Sequence, residues 1–277
     1  MLRARIVCAL AAITFAAGSM AGISSTRVSA QVASPSVAGD GLLQILGDGV
    51  VGGPESARTL RDFSRLARWE TGEWRYRITS GARRGQTEVE NLAPIGATAR
   101  GETWKRTIGQ ESTLYLREVT GGSLVLPSQI THPYQGLVYF EPPLSYLIAG
   151  LGPGESRVFD GRMDVYSVNN PAVKWYTGRI RATTVNAGAY RITTPAGVFR
   201  ATLIKTEYQI DILAVVTVRD TLYTFYAEGV GKVAEAEHRK VAAIGLFSTD
   251  TKIGKVLVSY TSMSPPTRIE SPRVESP

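Results

Sequence analysis

The feature that most constrains the fold is an alternation of apolar and polar residues along most of the chain. Near its start, Trp74, Tyr76 and Ile78 alternate with Arg75 and Arg77, which is typical of a β-strand with one face in water. Comparable runs follow at residues 113–119, 123–130, 136–140, 157–168, 173–184, 189–194, 201–212, 217–227, 232–241 and 254–260. The pattern predicts about ten strands.

Short stretches of Gly, Pro and Asn separate these runs, such as Gly152-Pro153-Gly154 and Asn186-Ala187-Gly188. This punctuation favours antiparallel hairpins over βαβ crossovers. We therefore predict an all-β or β-dominated fold, with one large antiparallel sheet that forms a half-open barrel or a sandwich. One short N-terminal helix is predicted over residues 57–68, where apolar residues recur at helical spacing.

The first thirty residues have the three parts of a bacterial secretory signal. Arg3 and Arg5 precede an apolar run over residues 6–21, and Val28-Ser29-Ala30 forms a small-x-small cleavage site. We expect cleavage after Ala30 and a location in the periplasm or outside the cell. Because the apolar run is short and rich in Ala and Gly, no stable membrane span is expected after cleavage.

The remaining chain divides into three predicted segments. Residues 31–54 form a linker rich in Ser, Pro, Ala and Gly, residues 55–261 form the β domain, and residues 262–277 form a Pro/Ser-rich tail. The tail repeats one pattern as Arg268-Ile269-Glu270-Ser271-Pro272 and Arg273-Val274-Glu275-Ser276-Pro277. It has few apolar residues, so we expect it to be disordered.

Charge and cysteine content exclude several classes of function. The only cysteine, Cys8, lies in the signal segment, so no thiol chemistry is expected in the exported chain. Loss of Arg3, Arg5 and Arg27 lowers the basic residues from 31 to 28 against 24 acidic residues, and the net charge from +7 to +4. The basic residues are scattered, which argues against nucleic-acid binding. No nucleotide-binding motif occurs, and no cofactor is predicted.

Groups suited to catalysis or metal binding are few. The two histidines are His132, between two predicted strands, and His238, which follows Glu235 and Glu237. On a strand the two glutamates share one face and His238 points to the other, so the three cannot hold one metal ion. We expect a solvated strand end here, and no metal site.

Asp160 and Asp164 share one face of another predicted strand but lie roughly 13 Å apart along it. This spacing is too long for a retaining pair of glycosidase carboxylates. No Gly-x-Ser-x-Gly elbow is present either. We therefore predict no catalytic residue.

Aromatic residues are abundant on the predicted strands. They either fill the core of the sheet or line a concave face that binds an apolar ligand. On the second interpretation, Trp175, Tyr208 and Phe225 are the candidate ligand-binding residues.

Three segments resemble an uncharacterised family of β-rich bacterial periplasmic proteins. They are Thr194-Pro195-Ala196-Gly197-Val198-Phe199, the segment from Tyr223 through Ala227-Glu228-Gly229-Val230-Gly231-Lys232-Val233, and Leu151-Gly152-Pro153-Gly154-Glu155-Ser156. The resemblance spans residues 144–260 and implies an envelope β-domain, similar to the incomplete barrel of lipoprotein carriers. It implies no catalytic residue. Gly197 and Gly231 stand where turns commonly require a positive φ.

Three functions remain open at this point. The leading hypothesis is a non-enzymatic β-domain of the cell envelope that binds a lipid, another apolar ligand or an envelope protein. The alternatives are an envelope hydrolase, with acidic residues brought together by the fold, and a structural envelope component. Clustering of Glu235, Glu237, His238, Asp160, Asp164 and His132 would favour the hydrolase.

Overall fold

The computed structural model describes residues 41–60, 66, 70–98, 101–213, 216–243 and 247–262. The predicted signal segment and most of the predicted tail lie outside these ranges. A 3₁₀ turn at Leu43–Leu46 precedes the first strand, and another, His132–Tyr134, follows the sixth. The strands are β1 (Val51–Glu55), β2 (Gly72–Ile78), β3 (Thr87–Thr98), β4 (Gly101–Ile108), β5 (Ser112–Val119), β6 (Ser123–Thr131), β7 (Gly136–Leu147), β8 (Ser156–Ser167), β9 (Lys174–Thr194), β10 (Gly197–Ile212), β11 (Val216–Ala227), β12 (Gly231–Ala243) and β13 (Phe247–Ser262).

Strands β2 to β13 form a closed antiparallel barrel of twelve strands. Each pairs with the next along the chain, and β13 pairs with β2 to close the ring. The predicted antiparallel, β-dominated fold is confirmed. The prediction of a half-open sheet is wrong, because closure pairs the first and last strands of the ring and removes those edges. The sandwich alternative is not observed.

Strand β1 is an addition to this ring. It pairs with the second half of β9, with Val51 opposite Ile192 and Glu55 opposite Ala189. The first half of β9 pairs on the same side with β8, from Lys174 to Val185. Strands β1 and β8 therefore lie end to end along β9.

Apolar side chains of the core also pack on part of the barrel's outer face. The end of the β9–β10 hairpin curls over the sheet, where the Ala196 amide donates to the Leu257 carbonyl at 3.3 Å. Tyr190 on β9 packs edge-to-face on Phe225 of β11, with ring centroids 6.2 Å apart. The 3₁₀ turn at Leu43–Leu46 is held to the same region by a 2.6 Å bond from the Thr79 hydroxyl to the Ile45 carbonyl.

The segment before the barrel differs from its prediction. Leu42, Leu43 and Leu46 are buried in the core, and β1 follows, so the predicted linker does not extend to residue 54. The helix predicted over residues 57–68 is not confirmed. Residues 57–60 have no regular secondary structure, and most of the remainder lies outside the described residues.

The outward face of β9–β12 is charged. Arg179, Arg181, Glu207, Arg219 and Lys240 are all exposed there. An arginine or lysine facing lipid at mid-membrane costs about 2–4 kcal/mol, which argues against a lipid-facing position for this wall. Among the described residues, no helix is long and apolar enough to cross a membrane.

Candidate functional site

The barrel interior contains a chain of buried ion pairs. At its inner end, Glu90 on β3 is fully buried and accepts hydrogen bonds from two cations. The Arg106 guanidinium binds one carboxylate oxygen through Nε, at 2.9 Å, and through Nη2. The Lys232 ammonium binds the other oxygen at 2.6 Å. Arg106 also donates to the Tyr146 hydroxyl at 2.8 Å.

The chain continues along β12 and β13. Lys232 also binds Glu235 at 2.8 Å, and its Nζ lies 4.9 Å from the ring centroid of Tyr76. The second oxygen of Glu235 is 3.2 Å from Lys255, which lies 2.7 Å from Glu88. These residues face one another because Glu235 and Lys255 are directly paired across β12 and β13.

The outer end of the chain lies at the rim formed by the β2–β3 and β4–β5 turns. Arg83 binds Glu88 at 2.7 Å and Glu111 at 3.0 Å, and both Arg83 and Glu111 are about one-third exposed. Acidic and basic residues alternate throughout, with equal numbers of each sign. We call the set the interior ion chain: Glu111, Arg83, Glu88, Lys255, Glu235, Lys232, Glu90 and Arg106.

The pKa values of these groups follow from the pairing. Burial by itself would raise the pKa of Glu90, but Arg106 and Lys232 outweigh it and lower that pKa to about 2. Burial also opposes ionisation of Glu235, yet Lys232 and Lys255 lower its pKa. Both carboxylates are therefore charged at neutral pH, and each is matched by a cation.

The expected solvated strand end at Glu235 and Glu237 is wrong. Both side chains point into the barrel, with 3% and 5% exposure, while His238 points outward as predicted and binds Asp250 at 2.7 Å. Glu88, Glu90 and Arg106 are buried as well, and the sequence pattern did not predict them as site residues. A signal was available for the glutamates, because both share the strand face of the buried Leu92.

A second charged cluster, the Asp220 cluster, lies on β11 and β12 and consists of Asp220, Glu237 and Arg239. The guanidinium of Arg239 binds Asp220 at 3.2 Å and also contacts Glu237. Burial, and then the neighbouring Glu237, raise the pKa of Asp220 well above its ordinary value. Two carboxylates thus share one cation, and Asp220 is the one that burial drives toward protonation.

The six residues proposed for a hydrolase do not come together. Glu235 and Glu237 lie inside the barrel. Asp160 and Asp164 lie outside on β8, where Asp160 is bound by both Nε and Nη2 of Arg179. His132 lies in a turn at the barrel end, 2.9 Å from the Thr113 hydroxyl. Within the described ranges, no group of His, Cys, Asp and Glu is arranged to hold a metal ion.

The three candidate ligand-binding aromatics lie in different places. Tyr208 is inside the barrel, opposite Asp220 on the next strand. Phe225 packs against Tyr190 on the outer face of the sheet, and Trp175 is partly buried at a bulge of β9. They do not line one groove, and ligand binding by any of them stays a prediction.

An exposed aromatic surface lies on the outer wall of β7–β9. Tyr139 and Tyr166 pack edge-to-face, with centroids 5.7 Å apart, and Tyr139 is 48% exposed. Lys174 Nζ lies 5.5 Å from the Tyr166 centroid and binds Asp164 at 2.9 Å. Val173, in the adjoining turn, is 44% exposed. We call Tyr139, Tyr166, Lys174, Asp164 and Val173 the outer aromatic surface.

Comparisons with known proteins identify no family. No family model matches the chain, and no curated protein matches it. Among solved structures, it is similar to a protein of Bacteroides fragilis NCTC 9343 with a YmcC-like fold that is proposed to be exported, with 15% identity and a TM-score of 0.42. It is also similar to a proposed lipoprotein of Parabacteroides distasonis ATCC 8503, with 11% identity and a TM-score of 0.36. Each match covers 75% of this chain and 100% of the other. Likenesses this weak support no inference about function.

Proposed function

We propose that this chain is a non-enzymatic, exported β-barrel domain of the bacterial cell envelope that binds a protein partner on its outer aromatic surface. The secretory signal pattern supports the location. The observation that carries the proposal is the contrast between the interior and this surface. Inside, the described side chains form buried ion pairs and a packed apolar core, whereas outside, the Tyr139 and Tyr166 rings pack against each other at the surface.

The chemistry of the surface favours a protein over a small charged ligand. Its charges already have partners, since Asp164 accepts from Lys174 and from the Thr177 hydroxyl, at 2.9 and 2.6 Å. The nearby Arg162 is bound to Glu141 at 2.5 Å. Tyrosine and arginine are enriched in the residues that dominate protein–protein binding energy. A partner would gain contact area without displacing an unpaired charge.

Site-specific photo-crosslinking in the native envelope tests the proposal. A photoreactive phenylalanine at Tyr139 should capture one protein species, and the same probe at Arg219, on the outer face of β11, should not. Tyr166→Ala should reduce the capture at position 139. Equal capture at both positions would contradict a specific surface.

A separate measurement addresses the apolar-ligand alternative. Protein purified from its own envelope should contain no lipid in stoichiometric amount, and a fluorescent fatty acyl probe should not bind in a saturable way. Saturable probe binding together with a co-purifying lipid would favour a lipid-binding function instead.

A further inference from the structure

The outer aromatic surface continues along the barrel wall toward β4. The strand register places one residue of each strand from β4 to β8 in a single row: Lys105, Tyr115, Ser128, Tyr139 and Asp164. Directly opposite residues share a face of the sheet, so Lys105 points outward with Tyr139. Neighbouring strands lie about 4.8 Å apart, which puts Lys105 roughly 14 Å from Tyr139 along the row. One protein interface, which buries about 800 Å² on each partner, can include both.

The outward face of β3–β6 is basic because its acidic residues point the other way. All four acidic residues of these strands lie on the inward face, which they share with the buried Leu92, Trp104 and Leu116: Glu88, Glu90, Glu102 and Glu118. Lys105 on β4 and Arg117 on β5 lie on the outward face. The described part of this face therefore has two cations and no carboxylate.

Lys105 and Arg117 are close to each other. Lys105 is directly opposite Tyr115, and Arg117 follows two residues later on β5, so the two cations are diagonal neighbours about 7–8 Å apart. Lys105 is exposed and Arg117 is half-buried. Among the described residues neither has an ion-pair partner, and the buried Nε of Arg117 donates no hydrogen bond. A carboxylate from another molecule would reduce the repulsion between them and accept this hydrogen bond.

The outward face of β8–β13 differs, because acidic residues lie among its basic ones. Asp160 binds Arg179 through both carboxylate oxygens, at 3.0 and 2.9 Å. Asp250 lies 3.5 Å from Lys240. An acidic partner would meet carboxylates on that side of the barrel, whereas on β3–β6 it would meet only cations beside the aromatic row.

We propose that the protein partner of the outer aromatic surface presents an acidic segment whose carboxylates bind Lys105 and Arg117. Because the aromatic row fixes where the partner lies, this inference rests on the proposed function. An arginine can bind a carboxylate through two parallel N–H bonds. Charges at the edge of an interface chiefly accelerate association and make it depend on salt. The tyrosines would provide contact area, and the two cations would select an acidic partner.

Carbodiimide crosslinking tests the contact, since it joins an amine to a carboxylate without a spacer. Purified protein with photoreactive phenylalanine at Tyr139 is incubated with an extract of the native envelope. Peptide mass spectrometry should find Lys105 linked to an aspartate or glutamate of the same protein that light captures at position 139. The matched control is Lys105→Arg, which keeps the charge but has no reactive amine. It should lose the carbodiimide link and keep the photocapture.

Charge reversal tests whether the cation contributes to binding. Lys105→Glu should lower photocapture at position 139 on the order of tenfold at low salt, and the difference should shrink as added salt screens the charges. The control is Arg219→Glu, an equally exposed reversal on β11, which should leave capture unchanged. Thermal melts equal to wild type should show that both variants are folded.

The possible failures are distinguishable. Absence of any captured protein at position 139 would overturn the proposed function and this inference together. A captured protein that never links to Lys105, and whose capture is the same with Lys105→Glu, would overturn this inference alone. Binding of wild type to phosphatidylglycerol vesicles that Lys105→Glu abolishes would overturn it in favour of an anionic lipid surface.

Discussion

Replacing Glu90 with glutamine should destabilise the barrel far more than the same change on its surface. The substitution keeps the side-chain shape but removes the charge that Arg106 and Lys232 share. Lys232 keeps Glu235 as a charged partner, whereas Arg106 loses the one carboxylate that pairs with it among the described residues and keeps the neutral Tyr146 hydroxyl. Breaking a buried ion pair by removing one partner costs about 3–5 kcal/mol, a large share of the roughly 5–15 kcal/mol that stabilises a typical domain.

The matched control is Glu141→Gln, which removes an exposed carboxylate from Arg162. That pair is 72% and 55% exposed, so its loss should cost less than about 1 kcal/mol. Urea unfolding followed by tryptophan fluorescence compares the variants, since Trp74 and Trp104 are buried in the core. If Glu90→Gln and Glu141→Gln lower the free energy of unfolding equally, the interior ion chain is not a desolvated network, and the reasoning is refuted.

The pH dependence provides a second readout of the same variant. Glu90 has its pKa lowered in the folded barrel from 4.5 to about 2. Its contribution to stability is therefore present above pH 4.5 and lost as the pH falls toward 2. The difference in unfolding free energy between wild type and Glu90→Gln should shrink across this window. A difference that stays constant from pH 6 to pH 2 would contradict the assigned pKa shift.

Four further outcomes are expected. Wild type should lose stability as the pH rises above about 3.8, because burial raises the pKa of Asp220 in the folded state. Asp220→Asn should abolish this loss. A difference in melting temperature between the two proteins that does not change with pH would contradict this. Gly231→Val should destabilise the domain in thermal melts, because Gly231 has a φ of +92° that β-branched residues rarely adopt; an unchanged melt would show that the turn tolerates a side chain. His132→Ala and His238→Ala should both leave folding and partner capture nearly intact, and loss of capture in either would assign that histidine a function. N-terminal sequencing of the exported protein should begin at Gln31, whereas an intact Met1 in the exported fraction would contradict cleavage.

The sequence predicted the strand content and the hairpins because these depend on local properties. The alternation at Trp74, Tyr76 and Ile78 reports one buried and one exposed face, and both Gly197 and Gly231 have the positive φ expected of turn residues. The opposite orientations of Glu237 and His238 also followed from strand geometry alone. Each of these features involves residues that are close in the chain.

Closure of the barrel and the interior ion chain depended on contacts between distant residues. The pairing of β13 with β2 joins Tyr260 to Trp74, and no local pattern specifies that two strands so far apart are neighbours. The same holds for Glu90 and Lys232, which form an ion pair across 142 positions. Charged residues read singly are expected in water, so Glu235 was expected at the surface. Only the tertiary structure provides the cations that make its burial favourable, because the charge of a buried group must be matched by groups that the fold brings together.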